Sequence, residues 1–309
     1  MKKVFVSVGN CQPGMQIAEN IFNEYGAIII AENTILDDFI IERIKGLGLV
    51  KIKIFDHNDD MILVSGTELF RAQYNENRDI VNCINEMRET DEYLYTHSIN
   101  VSFLAMLIGK WLKYDYYSIK SLVSAGFLHD IGKGRIDAKI LSKPGALTKE
   151  EFEEMKKHPV YGFKLAEEMN GLNDDILKGI LLHHERDDGS GYPFGMKGDQ
   201  IHHFAKIIAV ADTYDAMTSN RAYRHMECPF DVLEQLEKGC FGKLDHRVVN
   251  TFIKNIASYY MGDFVRLSTG EIGEIVYINP YNVSKPIVKT DDIYIDLANE
   301  KQVKILELI

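Results

Sequence analysis

At 309 residues, with 46% hydrophobic and 26% charged side chains, the chain has the composition of an ordinary soluble protein, long enough for one core domain and one or two small ones. Its formal charge of −11 argues against a long nucleic-acid duplex as partner, because such binding neutralises many phosphates at once, while a small anionic ligand met by local charges stays open. The best apolar run, Val101 to Leu112, is too short for a membrane helix and is broken by Lys110, and Cys11, Cys83, Cys228 and Cys240 show no C-x-x-C spacing, which excludes a disulfide frame or thiolate zinc knot as the organising feature.

In chain order, Val4, Val6 and Val8 alternate with Phe5 and Ser7, the pattern of a strand and not of a signal peptide, so the chain is expected in the cytoplasm. The run Ala27 to Ile30 and the alternation from Val50 to Phe55 predict two more strands around a helix from Asp37 to Leu47. A helix beginning near Asn77 carries Ile80, Ile84 and Met87, and a second from about Asp91 to Leu112 places His97 on one face with Val101, Leu104 and Ile108.

From Tyr117 the apolar residues Ile119, Leu122, Val123, Gly126 and Phe127 repeat at helical spacing and lead into His129-Asp130-Ile131-Gly132-Lys133. An imidazole beside a carboxylate at a helix end is a plausible start to a hard metal site, with Gly132 expected as a left-handed terminator and the Lys133 ammonium close by. Thr148 and Glu151 form a capping box for a helix that reaches His158, and Pro159 sets His158 at a helix boundary. Ile176 and Ile180 lead to His183-His184, followed by a loop in which Gly189 and Gly191 permit tight backbone geometry before Tyr192 and Pro193. The helix from Ile201 sets Asp212 in line with Phe204 and Ile208, an arrangement that is costly unless the carboxylate is paired or metal-bound. Arg221 and Arg224 follow, three apart, able to aim two guanidinium groups at one anion. Helices over Asp231 to Lys238 and Arg247 to Ala257, a hairpin turning at Thr269-Gly270, and strands around Ile293 to Leu297 and Val303 to Leu306 complete the chain.

The set His97, His129-Asp130-x-Gly-Lys133, His158-Pro, His183-His184-Glu-x-x-Asp-Gly-x-Gly191-Tyr192-Pro193 and Asp212-x-x-Asp215-Ala-Met-Thr-x-x-Arg221 resembles the HD-GYP family of bacterial cyclic-di-GMP phosphodiesterases, a branch of the HD metal-dependent phosphohydrolases. The resemblance implies a mainly α fold: a helical HD-type core over residues 76–262, with a small β-rich N-terminal unit and connector at 1–75 and a small β unit at 263–309. It implies a two-metal centre in which Asp130 bridges, His97, His129 and Asp212 hold one ion, and His158, His183 and His184 hold the other. Lys133, Arg221 and Arg224 would meet phosphate oxygens, with Gly191, Tyr192 and Pro193 lining the substrate, and a hydroxide held between the metals would open cyclic-di-GMP to pGpG, which some members of the family cleave further to GMP. Imidazole and carboxylate ligands without thiolate suit iron or manganese best, with zinc, nickel, cobalt or magnesium as alternatives. Relatives with a third metal carry a glutamate four residues before the first histidine; Tyr93 stands there, so two ions are expected. The reading allows a homodimer and no membrane partner. Its rivals are a catalytically silent cyclic-dinucleotide receptor and another HD-type nucleotide phosphohydrolase, which would leave His158, His183 and His184 without a task.

Overall fold

The computed structural model describes residues 3–8, 11, 15–22, 28–31, 34, 36, 38–46, 51–55, 92–219, 227–239, 242–291 and 293–309. The helix expected around Ile80, Ile84 and Met87, and the arginines Arg221 and Arg224, lie outside the described residues. The chain separates into two compact units, Met1–Glu68 and Leu69–Ile309.

In the first unit, β1 (Lys3–Ser7), β2 (Gln16–Ile17), β3 (Ile21–Phe22), β4 (Ile28–Ile30), α1 (Asp38–Gly46) and β5 (Lys51–Phe55) follow in order. Antiparallel strands are ordered β1-β5-β2, and β3 pairs with β4. Ile17, Ile30, Leu36, Ile41, Ile44, Ile52 and Ile54 make its core. The two-residue strands β2 and β3 are too short to show a period, which is why the sequence pattern does not find them.

The second unit begins with a helical array: α2 (Glu92–Trp111), α3 (Tyr116–Leu128), a 3-10 turn (Ile131–Arg135), α4 (Ala138–Leu141), α5 (Lys149–Met155), α6 (His158–Glu167), α7 (Asp174–Leu182), α8 (His203–Thr218), α9 (Pro229–Gly239) and α10 (His246–Ile256). Several of the starts have a local cause. Asp115 accepts from the Tyr117 and Ser118 amides, Thr148 and Glu151 make the expected capping box, and Asn173 and Asp245 cap α7 and α10. Small residues then let the helices close in. A methyl on Gly126 would stand 3.0 Å from the Ser102 Cα, bringing α3 against α2, and one on Gly179 would stand 2.9 Å from the Ala125 Cβ, bringing α7 against α3.

Helix α8 is apolar nearly all round, with Phe204, Ala205, Ile207, Ile208, Ala209, Val210 and Ala211 all buried, and so sits at the centre of the array. Burying a side chain the size of Phe204 or Ile208 stabilises the fold by ~1.5–3 kcal/mol. Asp212 therefore emerges from a deeply packed element of the unit. Among the described residues no helix is long and apolar enough to cross a membrane.

The chain ends in a five-stranded antiparallel sheet, ordered β10-β6-β7-β8-β9, from β6 (Phe264–Leu267), β7 (Ile272–Asn279), β8 (Asn282–Lys289), β9 (Tyr294–Asp296) and β10 (Ile305–Leu308). Val265, Leu267, Ile275, Val288 and Ile295 face inward and pack with Cys228 and Phe230 at the start of α9. Strand β8 is absent from the sequence reading because Pro286 lacks a ladder donor and interrupts the pattern. The structure accommodates it where the β7–β8 register shifts, between the Tyr277–Ile287 and Asn279–Asn282 pairs.

Candidate metal centre

The predicted ligands come from five different segments and meet at one place. His97 lies inside α2. His129 caps the C-terminus of α3, with Asp130 next to it. His158 opens α6 with Pro159 in its first turn, and His183 caps α7 with His184 following. Asp212 projects from α8. His97, His129, Asp130, His158 and His183 are all buried, although each carries a polar group that would otherwise seek water.

Asp130 stands between two groups of ligands and turns one oxygen to each. Its Oδ1 is 3.2 Å from His158 Nε2 and 3.9 Å from His183 Nε2. Its Oδ2 is 3.2 Å from His129 Nε2, 3.7 Å from His97 Nε2 and 2.5 Å from Lys133 Nζ. Asp212 Oδ1 lies 3.1 Å from His97 Nε2. Among the described residues, two sets have ligand atoms close enough to hold one ion each: Asp130 with His158, His183 and His184, and His97 with His129 and Asp212.

The hydrogen bonds behind these rings fix which nitrogen faces inward. The Nδ1 of His129 bonds to the Gly126 carbonyl at 2.7 Å, that of His158 to Met155 at 2.8 Å, and that of His183 to Ile180 at 2.6 Å. All three acceptors sit in the last turns of α3, α5 and α7, where carbonyls have no helical partner. A ring that donates from Nδ1 is left with a lone pair on Nε2 when neutral. His158 Nε2 and His183 Nε2 thus point lone pairs at each other across 3.3 Å, with the Asp130 carboxylate beside them. His129 Nε2 and Asp130 Oδ1 are buried and make no hydrogen bond at all. Buried acceptors without donors are rare, and here several converge. An electropositive centre between them resolves the clash, and the negative ends of three helices favour the same charge. The residues present fit divalent metal ions.

Four of the ligands already carry the charge state that a metal ion needs. Burial opposes ionisation of Asp130, but the His129 imidazole and the Lys133 ammonium outweigh it and hold the carboxyl well below its usual range. Asp212 is likewise held low, burial being outweighed by His97. Burial, reinforced by neighbouring imidazoles, pushes His183 well down, and burial pushes His184 down too, leaving both neutral and able to ligate. His97 goes the other way: burial lowers it, yet the carboxylates of Asp212 and Asp215 raise it to about 9.

Gly132 corrects one expectation. It is not a left-handed terminator, for it lies within the 3-10 turn, outside the set of glycines with positive φ. Its need is close approach: a Cβ there would fall 2.0 Å from the His158 carbonyl oxygen and 2.4 Å from the Gly162 amide nitrogen. The loop after His184 folds back on that histidine. Gly189 has φ +83°, and a Cβ on Gly191 would fall 2.4 Å from the His184 oxygen. The Tyr192 ring stacks on His184 with centroids 4.6 Å apart, and the Tyr192-Pro193 bond is cis.

Two carboxylates went unassigned in the sequence reading. Glu185, buried, accepts from the Phe194 and Met196 amides at 2.7 and 2.9 Å and so ties the Tyr192-Pro193 loop to the end of α7. Asp215 accepts from His97. Its signal was available: three residues after Asp212, it shares the inward face of a core helix and needs a partner there for the same reason.

A protein-family model described as an HD domain matches residues 82–246, more than half of the chain. The chain belongs to the HD domain family. The chain is 34% identical over 203 residues to a cyclic di-GMP phosphodiesterase of Pseudomonas aeruginosa, covering 66% of this chain and 49% of that protein. It is 39% identical over 184 residues to a cyclic di-GMP phosphodiesterase of Thermotoga maritima, covering 57% and 48%. It is 33% identical over 171 residues to a 3'3'-cGAMP-specific phosphodiesterase of Vibrio cholerae, covering 55% and 39%. The chain thus spans about half the length, or less, of these relatives. The mainly helical HD-type fold expected from the sequence, with its small C-terminal sheet, is the one observed.

Proposed function

We propose that the chain is a cytoplasmic, metal-dependent phosphodiesterase that hydrolyses a cyclic dinucleotide, cyclic-di-GMP first among them, to the linear dinucleotide pGpG. Residues 76–262 are its catalytic domain, flanked by small units at 1–75 and 263–309. The observation that carries this reading is Asp130, buried between two ligand sets with one oxygen toward each. Bound there, two divalent ions, iron or manganese, supply Lewis acidity toward phosphate oxygens and an activated water near neutral pH.

The chain's own residues position the substrate. Lys133 is partly exposed and sets its ammonium beside Asp130, where a phosphate oxygen of the substrate accepts from it. Tyr192, whose phenol burial keeps protonated, closes the site over His184 and limits water. Arg221 and Arg224, assigned from motif spacing, complete the phosphate contacts.

Turnover of cyclic-di-GMP and 3'3'-cGAMP by purified protein loaded with manganese or ferrous iron under reducing conditions tests the reading, with linear dinucleotide as the expected product. Binding of either compound without hydrolysis by the loaded protein would make the chain a receptor instead. Two ions per chain are expected. Tyr93 stacks parallel on His97, 6.0 Å between centroids, and as a neutral phenol is a poor ligand for a hard cation. A third strong anomalous peak beside Tyr93 would overturn the count. Arg221→Ala is expected to weaken substrate affinity about tenfold to a hundredfold, the ~1.5–3 kcal/mol of a charge-assisted hydrogen bond, with metal content unchanged. Lost metal with an unaltered KM would show the role to be wrong.

A further inference from the structure

The rings of His129, His158 and His183 are braced from behind by main-chain carbonyls at helix ends. His97 is braced differently. It lies within α2, whose interior carbonyls are occupied by the helix's own ladder. Its Nδ1 bonds instead to Asp215 Oδ2 at 2.7 Å, across 118 positions of sequence. Asp215 is itself only 4% exposed. Its other oxygen, Oδ1, is taken by Asn100 Nδ2 at 2.8 Å and by Ser219 Oγ at 3.0 Å. Two neutral donors therefore pin the carboxylate by one oxygen and leave the other for the imidazole. Among the described residues its only ion-pair partner is His97.

A carboxylate behind an imidazole fixes the ring's orientation and makes the far nitrogen a stronger donor to a metal than a carbonyl does. The two ligand sets are consequently unlike. One joins Asp212 to a carboxylate-backed histidine. The other joins Asp130 to three imidazoles, two of them braced by neutral carbonyls.

We propose that Asp215 is a positioning residue for the pocket of His97, His129 and Asp212: it locks His97 with Nε2 directed into that pocket and selectively strengthens the pocket's hold on a divalent cation. The inference rests on the two-ion centre proposed above. It concerns a side chain that touches neither ion nor substrate.

Titration of metal-free protein with cobalt(II), followed by its visible absorption and by calorimetry, tests it without an activity assay. Wild type should show two binding events. Asp215→Ala should weaken one of them by about 10–100-fold and leave the other in place. Crystals of the variant with one equivalent of cobalt should then show a single anomalous peak beside His158, His183 and His184. Asp215→Asn keeps an acceptor for His97 but not the charge, and should recover part of the loss; it also decides the matter if the alanine variant does not fold. Two wild-type-like events in both variants would overturn the inference, as would equal weakening of both events, the mark of a general structural role. Wild-type protein that takes up no cobalt would overturn the metal centre itself, and the inference with it.

Discussion

Asp130→Asn is expected to abolish hydrolysis and to lower the metal content of the centre. The carboxylate sits between the two ligand sets with Oδ1 on His158 and Oδ2 on His129, so an amide can preserve the acceptor on only one side. Its nitrogen would turn two hydrogens toward lone pairs that require a cation. The loss of charge compounds this, since the carboxylate faces the Lys133 ammonium and an amide would no longer offset the charge of a bound cation. Removing an outer-shell partner of a metal ligand costs roughly 10–100-fold in affinity, and removing the residue shared by both sets should exceed that. Elemental analysis of purified variant should find fewer than two ions per chain and no linear dinucleotide above background. Near wild-type turnover with two ions retained would rule out the bridging role.

Gly132→Ala should damage the same place by a steric route. The added methyl would meet the His158 carbonyl oxygen at 2.0 Å and the Gly162 amide nitrogen at 2.4 Å, both main-chain atoms of α6 that cannot swing aside as a side chain would. The 3-10 turn and α6 must separate, and with them Asp130 and His158, whose 3.2 Å contact spans that seam. Overpacking of this kind costs about 1–3 kcal/mol, and each kcal/mol lowers the melting temperature by roughly 2–4 °C in a unit of this size. Gly134→Ala is the matched control, because a Cβ there meets nothing within 4 Å. The expected result is a lower melting temperature and loss of metal for alanine at 132, with alanine at 134 close to wild type. Equal behaviour of the two variants would show that the close approach does not constrain this seam.

What could be read from the sequence follows from what periodicity encodes. The spacing of His97 with Val101, Leu104 and Ile108 tells that the imidazole faces the core, the capping box at Thr148 fixes where α5 begins, and Pro159 fixes where α6 begins. These are local facts, and the structure reproduces them. Which distant group a side chain meets is not local. Asp215 was visible as a second acid on the α8 face, but its pairing with His97 depends on how α2 and α8 cross. Gly132 was visible as a glycine after a helix, where left-handed termination is the common use, and only the passage of α6 over the turn reveals the other cause. Strand β8 carries Asn282, Ser284, Lys285 and Pro286, so neither alternation nor β-propensity marks it; its neighbours β7 and β9 hold it in the sheet.

The bracing of the histidines also sets how the site tolerates sequence drift. A backbone carbonyl is carried by every amino acid. At Met155, which is partly exposed, the side chain can change freely as long as the last turn of α5 persists, and the His158 ring keeps its acceptor. The orientations of His129, His158 and His183 are thus inherited from helix geometry, and that of His97 from the identity of a single side chain on another helix.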